Sequence, residues 1–270
     1  MCMITIYGVI GDPIAHSLSP AMHNAAFKAL KMDCYYGSFH VKGRYLYEAV
    51  NGARALGFGG LNVTVPHKEA VIRFVQADET SHNIGAANTI DFNTNKAYNT
   101  DAPGAIASLK DKGVDVRDKS VLVLGAGGAA RAVTYGLLQA GSTVTIANRT
   151  APKAAELAAY MREYGEVFGT GMDNIKEKVT IADIIINTTT VGMGTDETLV
   201  TAGMLNDRQA VFDLVYKPLE TKLLKEAKMA GAKAIDGITM LARQGALSFE
   251  IWTGVKPPVE VMERSARDAI

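Results

Sequence analysis

The chain has 270 residues, and its 28 lysines and arginines balance 28 aspartates and glutamates, so the formal net charge is zero. That balance gives no overall field to attract nucleic acid or an anionic membrane, and no apolar run approaches the roughly 18–20 residues of a membrane-spanning helix. The two cysteines, Cys2 and Cys34, are too few for a disulfide framework and match no zinc motif. The N-terminus resembles a strand rather than a signal peptide. These features indicate a cytoplasmic protein with reduced thiols.

The N-terminal part of the chain alternates apolar, strand-like runs with segments of helical periodicity. Ser19 followed by Pro20 is typical of a helix start, so Ser19 is expected to cap the first helix. The predicted strands cover residues 4–10, 35–40, 60–65, 86–91 and 97–98, and the predicted helices cover residues 19–31, 44–56 and 67–76.

A second strand–helix series begins after Asp101. Its first strand, residues 121–124, is wholly apolar, as expected in the middle of a parallel sheet. The other predicted strands cover residues 143–147, 184–187, 210–214 and 233–235, and the predicted helices cover residues 102–112, 129–140, 152–164, 220–230, 237–254 and 257–270. Repeated β-α units with short connections predict an α/β fold with a doubly wound sheet.

A glycine-rich loop follows the strand at residues 121–124 and matches the pattern G-x-G-x-x-G/A. Its residues are Gly125, Ala126, Gly127, Gly128, Ala129 and Ala130. The first glycine permits a tight turn, the second lets the backbone approach a pyrophosphate, and the small third residue lets helix and strand pack closely. The helix start then offers free N–H donors to phosphates. Many glycine-rich turns bind nothing, but the strand–loop–helix context predicts a dinucleotide site.

The end of the next strand indicates which dinucleotide is bound. An NAD site usually has Asp or Glu there to bind the ribose 2′-hydroxyl, whereas this strand is followed by Asn148, Arg149 and Thr150, with Lys153 shortly after. The planar, permanently charged guanidinium of Arg149 matches phosphate geometry. Arg149 could instead be an ordinary surface arginine, but the missing acid favours NADP.

The proton donor for a nicotinamide-dependent reduction is not one of the common kinds. No tyrosine has a lysine four residues later, so the Tyr-x-x-x-Lys pair of single-domain reductases is absent. Two cysteines and five scattered histidines form no recognisable zinc-ligand cluster. The donor is therefore expected in the N-terminal half of the chain.

That half has polar segments where its predicted strands end. Ser17 and Ser19 follow the first strand. Another strand ends within residues 62–68, and Lys68 follows that end. Asn88 and Asp101 stand at the ends of later strands. Ligands gather beyond the carboxyl ends of strands in α/β sheets. Each residue alone has an ordinary explanation as a cap, a turn residue or a solvated lysine. Their joint placement indicates a ligand site.

These segments closely resemble the shikimate dehydrogenase family. The matching segments occur in family order at residues 8–12, 17–20, 62–68, 85–89, 99–101, 125–130, 148–150, 187–189, 213–218 and 237–245, and so extend over almost the whole chain. The serine pair and the lysine motif are far more specific than the glycine loop.

The resemblance implies two open α/β domains with a cleft between them. Residues 1–101 plus 237–270 would form the substrate domain, and residues 102–236 a Rossmann-type, doubly wound NADP domain. The implied activity is the reversible reduction of 3-dehydroshikimate to shikimate with NADPH, in chorismate and aromatic amino acid biosynthesis. No metal, nucleic acid or membrane is implied as a partner, and the protein could be a monomer or a homodimer.

The resemblance also implies a role for individual residues. Lys68 and Asp101 would form the catalytic pair. The substrate would contact Ser17, Ser19, Thr64, Asn88, Tyr216 and Gln244, and NADP would contact Gly125, Ala126, Gly127, Gly128, Ala129, Asn148, Arg149, Thr150, Lys153, Thr188, Leu214, Gly237 and Met240.

Some of these assignments have an ordinary structural alternative. The family often has a second arginine where this chain has Lys153, and lysine lacks the bidentate fork, so selectivity for the 2′-phosphate would rest mainly on Arg149. Gly237 could simply start a helix, Met240 could pack in a core, and Tyr216 could be a packed turn residue.

Two alternative functions remain open at this stage. One is a quinate/shikimate dehydrogenase with broader specificity. The other is a non-catalytic NADP-binding sensor, which would keep the glycine loop and Arg149 but would need neither Lys68 nor Asp101. In the enzyme, the Lys68 ammonium would supply a proton to the developing oxyanion, directly or through water, while Asp101 holds the lysine.

Overall fold

The computed structural model describes residues 4–270, which divide into two compact units. One unit extends to Gly104 and resumes with Leu241–Ile270, and the other is Ala105–Met240. Residues 1–3, and with them Cys2, lie outside the described residues, whereas Cys34 is a free thiol. No helix within residues 4–270 is long and apolar enough to cross a membrane.

The first unit contains a mixed six-stranded sheet. Its elements are β1 (Thr5–Gly11), α1 (Ser19–Ala29), β2 (Cys34–His40), α2 (Leu46–Ala55), β3 (Gly60–Val63), β4 (Gln76–Ala77), α3 (Glu79–Ile84), β5 (Thr89–Asp91) and β6 (Lys96–Tyr98). The strand order is β2-β1-β3-β5-β6-β4. β1 runs parallel to both β2 and β3, and β5 runs antiparallel to β3 and β6.

Three further helices contribute to the first unit. α4 (Asp101–Asp111) begins in it, α9 (Gly237–Thr253) ends in it, and α10 (Val259–Asp268) lies wholly within it. α9 packs directly on the sheet because β3 starts with a glycine: a Cβ on Gly60 would stand 2.2 Å from Nε1 of Trp252. The indole instead donates a hydrogen bond to the Ile90 carbonyl at 2.9 Å.

The second unit contains a wholly parallel six-stranded sheet. Its elements are β7 (Ser120–Leu124), α5 (Gly128–Gln139), β8 (Thr143–Ala147), α6 (Ala151–Met161), β9 (Val167–Thr170), α7 (Ile175–Ile181), β10 (Ile184–Asn187), β11 (Ala210–Asp213), α8 (Lys222–Met229) and β12 (Lys233–Ile235). The strand order is β12-β11-β10-β7-β8-β9. Numbered from β7, this is the 3-2-1-4-5-6 order of the Rossmann fold, which confirms the predicted fold class.

The central strand β7 shows why this sheet carries helices on both faces. Val121 and Val123 lie in one buried apolar cluster, with residues of α5 and α6. Leu122 and Leu124, which point the opposite way along the strand, lie in another with residues of α7 and α8. An apolar residue at every position therefore fits a strand covered on both sides.

Several predicted elements differ from the observed ones. The helix predicted at residues 67–76 is only a turn followed by a 3₁₀ segment, Ala70–Phe74, since residues 76–77 pair as β4 with β6. The helix α3 was not predicted; Asp78 caps it by accepting a 2.8 Å hydrogen bond from the Ser81 N–H. The strand β9 and helix α7 were also not predicted.

The predicted cap of α1 is wrong. Leu18 occupies the N-cap position without a side-chain hydrogen bond, and Ser19 is the first helical residue. The Ser19 side chain is therefore not occupied in capping its own helix.

Candidate active site

Lys68 and Asp101 form a close ion pair in the first unit. The Lys68 Nζ atom lies 2.6 Å from Oδ2 of Asp101, and the two side chains are only 13% and 5% exposed. Asn88 lies beside them, with its Nδ2 atom 3.0 Å from the other carboxylate oxygen of Asp101. The predicted catalytic pair is thus brought together.

The segment Asn99-Thr100-Asp101 holds the carboxylate at the start of α4. The Asn99 Oδ1 atom accepts hydrogen bonds from the N–H groups of Asp101 at 3.1 Å and Ala102 at 3.3 Å. Its Nδ2 group donates to the Ala86 carbonyl at 2.9 Å, which ties the helix start to the loop before Asn88. Asp101 stands in the first turn, where the helix dipole favours a negative charge.

A tight turn after β3 delivers Lys68. The His67 N–H donates to the Thr64 carbonyl at 2.8 Å, and the Ala87 N–H donates to the Lys68 carbonyl at 2.9 Å. The buried His67 ring donates through Nε2 to the Val41 carbonyl at 2.6 Å. Three hydrogen bonds from separate segments therefore fix the backbone on either side of the lysine.

Asn88 and Gln244 complete a buried polar array around the pair. Nδ2 of Asn88 lies 3.2 Å from Oε1 of Gln244 and 2.9 Å from Oγ1 of Thr100. The Thr100 N–H in turn donates to Oδ1 of Asn88 at 2.8 Å. These contacts join two predicted site residues, Asn88 and Gln244, to Asp101.

A buried charge pair of this kind is poor evidence for stability. Removing two charges from water costs several kcal/mol per ion, and apolar replacements of similar volume are often neutral or stabilising. An ammonium and a carboxylate held together with satisfied hydrogen bonds are more useful for transferring a proton at a reacting oxygen. The arrangement therefore favours catalysis over a packing role.

Ser17 and Ser19 lie together at the start of α1. The Ser19 N–H donates to Oγ of Ser17 at 3.3 Å, and Ser19 is buried while Ser17 is partly exposed. Thr64 is also partly buried, with its methyl group next to Gly11. Within residues 4–270 no hydrogen bond joins the Thr64 hydroxyl to the other predicted site residues.

The array contains further polar residues to which the sequence had assigned no role. Asn62 donates from Nδ2 towards the Asn88 carbonyl at 3.0 Å, Oγ1 of Thr89 at 3.2 Å and Oγ of Ser248 at 3.0 Å. The Ser248 hydroxyl lies 2.7 Å from that of Thr89 and 3.2 Å from that of Thr100. Ser248 is one turn of α9 beyond Gln244, but its contacts come from segments far away in the chain.

In the second unit, the glycine loop lies where the strand order reverses. β7 and β10 are neighbours there, and the Thr188 hydroxyl donates to the Leu124 carbonyl at 2.7 Å. Gly125 has a φ of +114°, and a Cβ on it would stand 2.6 Å from Oγ1 of Thr188. Only glycine suits this turn, which brings the predicted residues Gly125 and Thr188 into contact.

The remaining loop residues suit a pyrophosphate. Nothing lies within 4 Å of a Cβ built on Gly127, the N-cap of α5, so a ligand can approach its backbone. Gly128 opens the helix and Ala129 follows, while the partly buried Ala126 packs against the apolar core. The loop therefore fits the pyrophosphate of a dinucleotide, because a backbone open to phosphate precedes a helix start.

The end of β8 carries exposed positive charge. Arg149 and Lys153 are both exposed, and neither forms an ion pair within residues 4–270. Asn148 donates to the Thr150 carbonyl at 3.0 Å, which shapes the turn, and Thr150 is the N-cap of α6. These two cations fit the phosphate on the adenosine ribose of a dinucleotide.

The other predicted residues of this unit follow β11 and β12. A Cβ on Gly237 would lie 2.5 Å from the Leu214 carbonyl oxygen, so these two residues are packed together. Met240 is 6% exposed and packs in the apolar core of the unit. Tyr216 lies after β11, and burial raises the pKa of its phenol. Tyr216 belongs to the second unit, unlike the other predicted substrate residues.

A buried carboxyl supports the loops at this end of the sheet. Asp213 is completely buried, and burial raises its pKa, although hydrogen bonds from Thr221, Val215 and Asn187 partly offset that rise. Asn187 donates from Nδ2 to Asp213 at 2.9 Å and accepts from the Thr189 N–H at 3.1 Å. The pair therefore anchors the segments that carry Thr188 and Leu214.

Comparison with known proteins places the chain in a family. A relative from Methanocella arvoryzae, called shikimate dehydrogenase (NADP(+)), is 68% identical over 269 residues, which cover 99% of this chain and 100% of the relative. The chain belongs to the shikimate dehydrogenase family. Three family models match it: the shikimate dehydrogenase substrate binding domain at residues 9–90, shikimate / quinate 5-dehydrogenase at residues 107–214, and the shikimate 5'-dehydrogenase C-terminal domain at residues 237–267.

Solved structures of shikimate dehydrogenases have the same fold. One, in complex with NADP+, is 42% identical with a TM-score of 0.92, and the match covers 99% of this chain and 96% of that one. Another, from Thermus thermophilus in complex with NADP(H) and shikimate, is 37% identical with a TM-score of 0.91, and the match covers 99% and 100% of the two chains. The resemblance recognised in the sequence is confirmed.

Proposed function

We propose that this chain catalyses the reversible NADPH-dependent reduction of 3-dehydroshikimate to shikimate, an oxidoreductase reaction at a ring CH–OH group. The reaction would serve chorismate and aromatic amino acid biosynthesis. The buried Lys68–Asp101 pair, with Nζ and Oδ2 2.6 Å apart, carries this proposal. It supplies a proton donor and a carboxylate acceptor at one point, as reduction of a ring ketone next to hydroxyl groups requires.

NADPH supplies the hydride that this chemistry needs. Lys68 places its ammonium beside the ketone oxygen, stabilises the negative charge that develops there and donates the proton. Asp101 holds Lys68 through the 2.6 Å contact and accepts a hydrogen bond from a neighbouring ring hydroxyl. In the direction of oxidation, neutral Lys68 removes the proton from the hydroxyl.

The polar residues near the pair give the substrate its orientation. Ser17 and Ser19, at the start of α1, bind the substrate carboxylate, since hydroxyls and a helix N-terminus favour an anion. Thr64, Asn88, Tyr216 and Gln244 bind the carboxylate or ring hydroxyls. A site that pairs with hydroxyls rejects analogues lacking them by as much as roughly 10⁴–10⁵.

The second unit binds NADP in this proposal. Gly125, Ala126, Gly127, Gly128 and Ala129 hold the pyrophosphate; Asn148, Arg149, Thr150 and Lys153 bind the adenosine end; Thr188, Leu214, Gly237 and Met240 line the nicotinamide end. Met240 belongs to the apolar core against which Leu214 packs, so it supports this end through that core. The first unit supplies the substrate residues other than Tyr216, and the protein acts in the cytoplasm as a monomer or homodimer.

Arg149 should determine the preference for NADP. Replacing Arg149 by serine removes a charge-assisted contact worth roughly 1.5–3 kcal/mol, so the dissociation constant for NADP+ should rise about ten- to a hundredfold. Affinity for NAD+ should hardly change. Isothermal titration would measure both constants. Arg162→Ser, another exposed arginine of this unit, is the matched control, and equal losses in both variants would remove Arg149 from the phosphate site.

Mixing the purified protein with shikimate and NADP+ tests the proposed function. Absorbance of the reduced nicotinamide should rise, and it should rise faster with NADP+ than with NAD+. A family model for shikimate / quinate 5-dehydrogenase also matches residues 107–214, so quinate belongs in the same assay. Equal turnover of quinate would assign a broader dehydrogenase. NADPH binding without oxidation of either acid would instead indicate a sensor.

A further inference from the structure

Tyr36 lies on β2 and is fully buried at 0% exposure. Its hydroxyl donates a hydrogen bond to Oδ1 of Asn62 at 2.7 Å. Asn62 is the residue whose amide group reaches the Asn88 carbonyl on its other side. Tyr36 therefore stands one step outside the polar array that surrounds Asp101.

The position of this hydroxyl is fixed from several directions. The side chain of Asn24 clamps the Tyr36 backbone, donating to its carbonyl at 2.9 Å and accepting from its N–H at 2.8 Å. The His23 ring stacks on the Tyr36 ring, with centroids 4.3 Å apart and an angle of 4° between the planes. These contacts hold the Tyr36 backbone and ring in place.

The phenol acts as a donor towards Asn62. Burial raises the pKa of Tyr36 well above its ordinary value, although a hydrogen bond from Ser19 partly offsets the rise, so the hydroxyl keeps its proton at physiological pH. The phenol therefore remains the donor in its 2.7 Å hydrogen bond to Asn62.

The donated proton determines which way the Asn62 amide points. Because Oδ1 must face the phenol, Nδ2 faces the Asn88 carbonyl, Thr89 and Ser248. With the amide reversed, its oxygen would face the Asn88 carbonyl oxygen in a buried site, and the phenol O–H would lose its acceptor. Both changes are unfavourable where water cannot compensate.

We propose that Tyr36 is a positioning residue for the reaction at Lys68 and Asp101. It orients Asn62, which holds the Asn88 backbone so that the Asn88 amide group meets Asp101. This inference rests on the proposed function for its kinetic consequences, but the orientation of Asn62 and Asn88 does not depend on turnover.

Tyr36→Phe removes the hydroxyl and leaves the ring stacked on His23. A small misplacement of catalytic groups is costly, so we expect kcat/KM for shikimate to fall about ten- to a hundredfold, through both a lower kcat and a higher KM. Tyr7→Phe is the matched control. Tyr7 is also buried, lies on the neighbouring strand β1 and stacks on Phe27, but within residues 4–270 its hydroxyl has no hydrogen-bond partner. It should keep wild-type kinetics.

Side-chain amide NMR signals distinguish positioning from packing, because loss of a hydroxyl that only packs would not change their chemical shifts. In Tyr36→Phe the ¹H–¹⁵N signals of both Asn62 and Asn88 should shift, while Tyr7→Phe should leave them in place. Unshifted signals, or kinetics within twofold of wild type, would overturn the inference. If the wild-type protein fails to oxidise shikimate, the proposed function is wrong. The amide signals alone then decide whether Tyr36 orients Asn62 and Asn88.

Ser248→Ala covers the case in which Tyr36→Phe does not fold. It removes a different partner of the same Asn62 amide group, the Ser248 hydroxyl at 3.0 Å. We expect the Asn62 and Asn88 signals to shift in the same direction by a smaller amount. Unchanged signals in that variant would also overturn the inference.

Discussion

Replacing Lys68 by alanine should lower kcat for shikimate oxidation by at least about 10²–10³-fold, with a smaller change in KM. A fixed donor at a developing oxyanion is worth about that factor, and an interaction made mainly in the transition state affects kcat rather than KM. The Lys68 ammonium lies 2.6 Å from Asp101, and the lysine side chain is 13% exposed. Steady-state kinetics with saturating NADP+ would measure the loss.

The control must separate catalysis from folding. Removing one partner of a buried ion pair can cost about 3–5 kcal/mol because the other charge is left unpaired, so the melting temperature and NADP+ affinity of Lys68→Ala must be measured as well. Lys28→Ala, which removes an exposed lysine of α1, should keep normal kcat. A folded Lys68→Ala protein with near-normal kcat would exclude Lys68 from the mechanism.

Acid should destabilise the protein through His23, which is buried at 0% exposure on α1. Burial lowers the pKa of His23 from 6.5 to about 3, and neither ring nitrogen has a hydrogen-bond partner within residues 4–270. Between those two pKa values the unfolded chain binds a proton at His23 and the folded protein does not. The free energy of unfolding therefore falls as pH falls from about 6.5 towards 3.

The expected size of this effect is large. One group contributes about 1.4 kcal/mol per pH unit in such a window, so the loss in total approaches about 4–5 kcal/mol. Above pH 6.5 both states hold neutral His23, and the contribution no longer changes with pH. A loss of this size is comparable with the total stability of a small domain.

Urea unfolding from pH 7 to pH 4 would measure the effect. The stability of His23→Phe, which keeps an aromatic ring next to Tyr36, should fall less steeply than that of the wild type, by about 1.4 kcal/mol per pH unit. His16→Asn replaces an exposed histidine and should leave the wild-type slope unchanged. Parallel slopes for the wild type and His23→Phe would show that His23 is not responsible.

The sequence predicted the sites that depend on local pattern. The G-x-G-x-x-A loop and the polar residues after strands could be predicted because each strand and the ligand-binding residues that follow it are adjacent in the chain. The same holds for the wholly apolar β7, whose four apolar residues, 121–124, fill both cores of the second unit. The prediction of these features depends only on residues that are close together in the sequence.

Features that depend on distant segments were not predicted. The helix expected at residues 67–76 is replaced by a turn, because hydrogen bonds from Ala87 and to Val41 hold His67 and Lys68. Ser248 and Tyr36 join the array through contacts with Asn62, 186 and 26 residues away. No periodicity or motif in a single sequence records such contacts.

A crystal structure of the protein with bound shikimate tests the central claim most directly. Nζ of Lys68 should lie within about 3.2 Å of the ring hydroxyl that is oxidised, the reach required of a proton-transfer group, and the Asp101 carboxylate should contact the same or the adjacent hydroxyl. Shikimate bound with its ring several ångströms from both groups, in a protein that turns it over, would contradict the account.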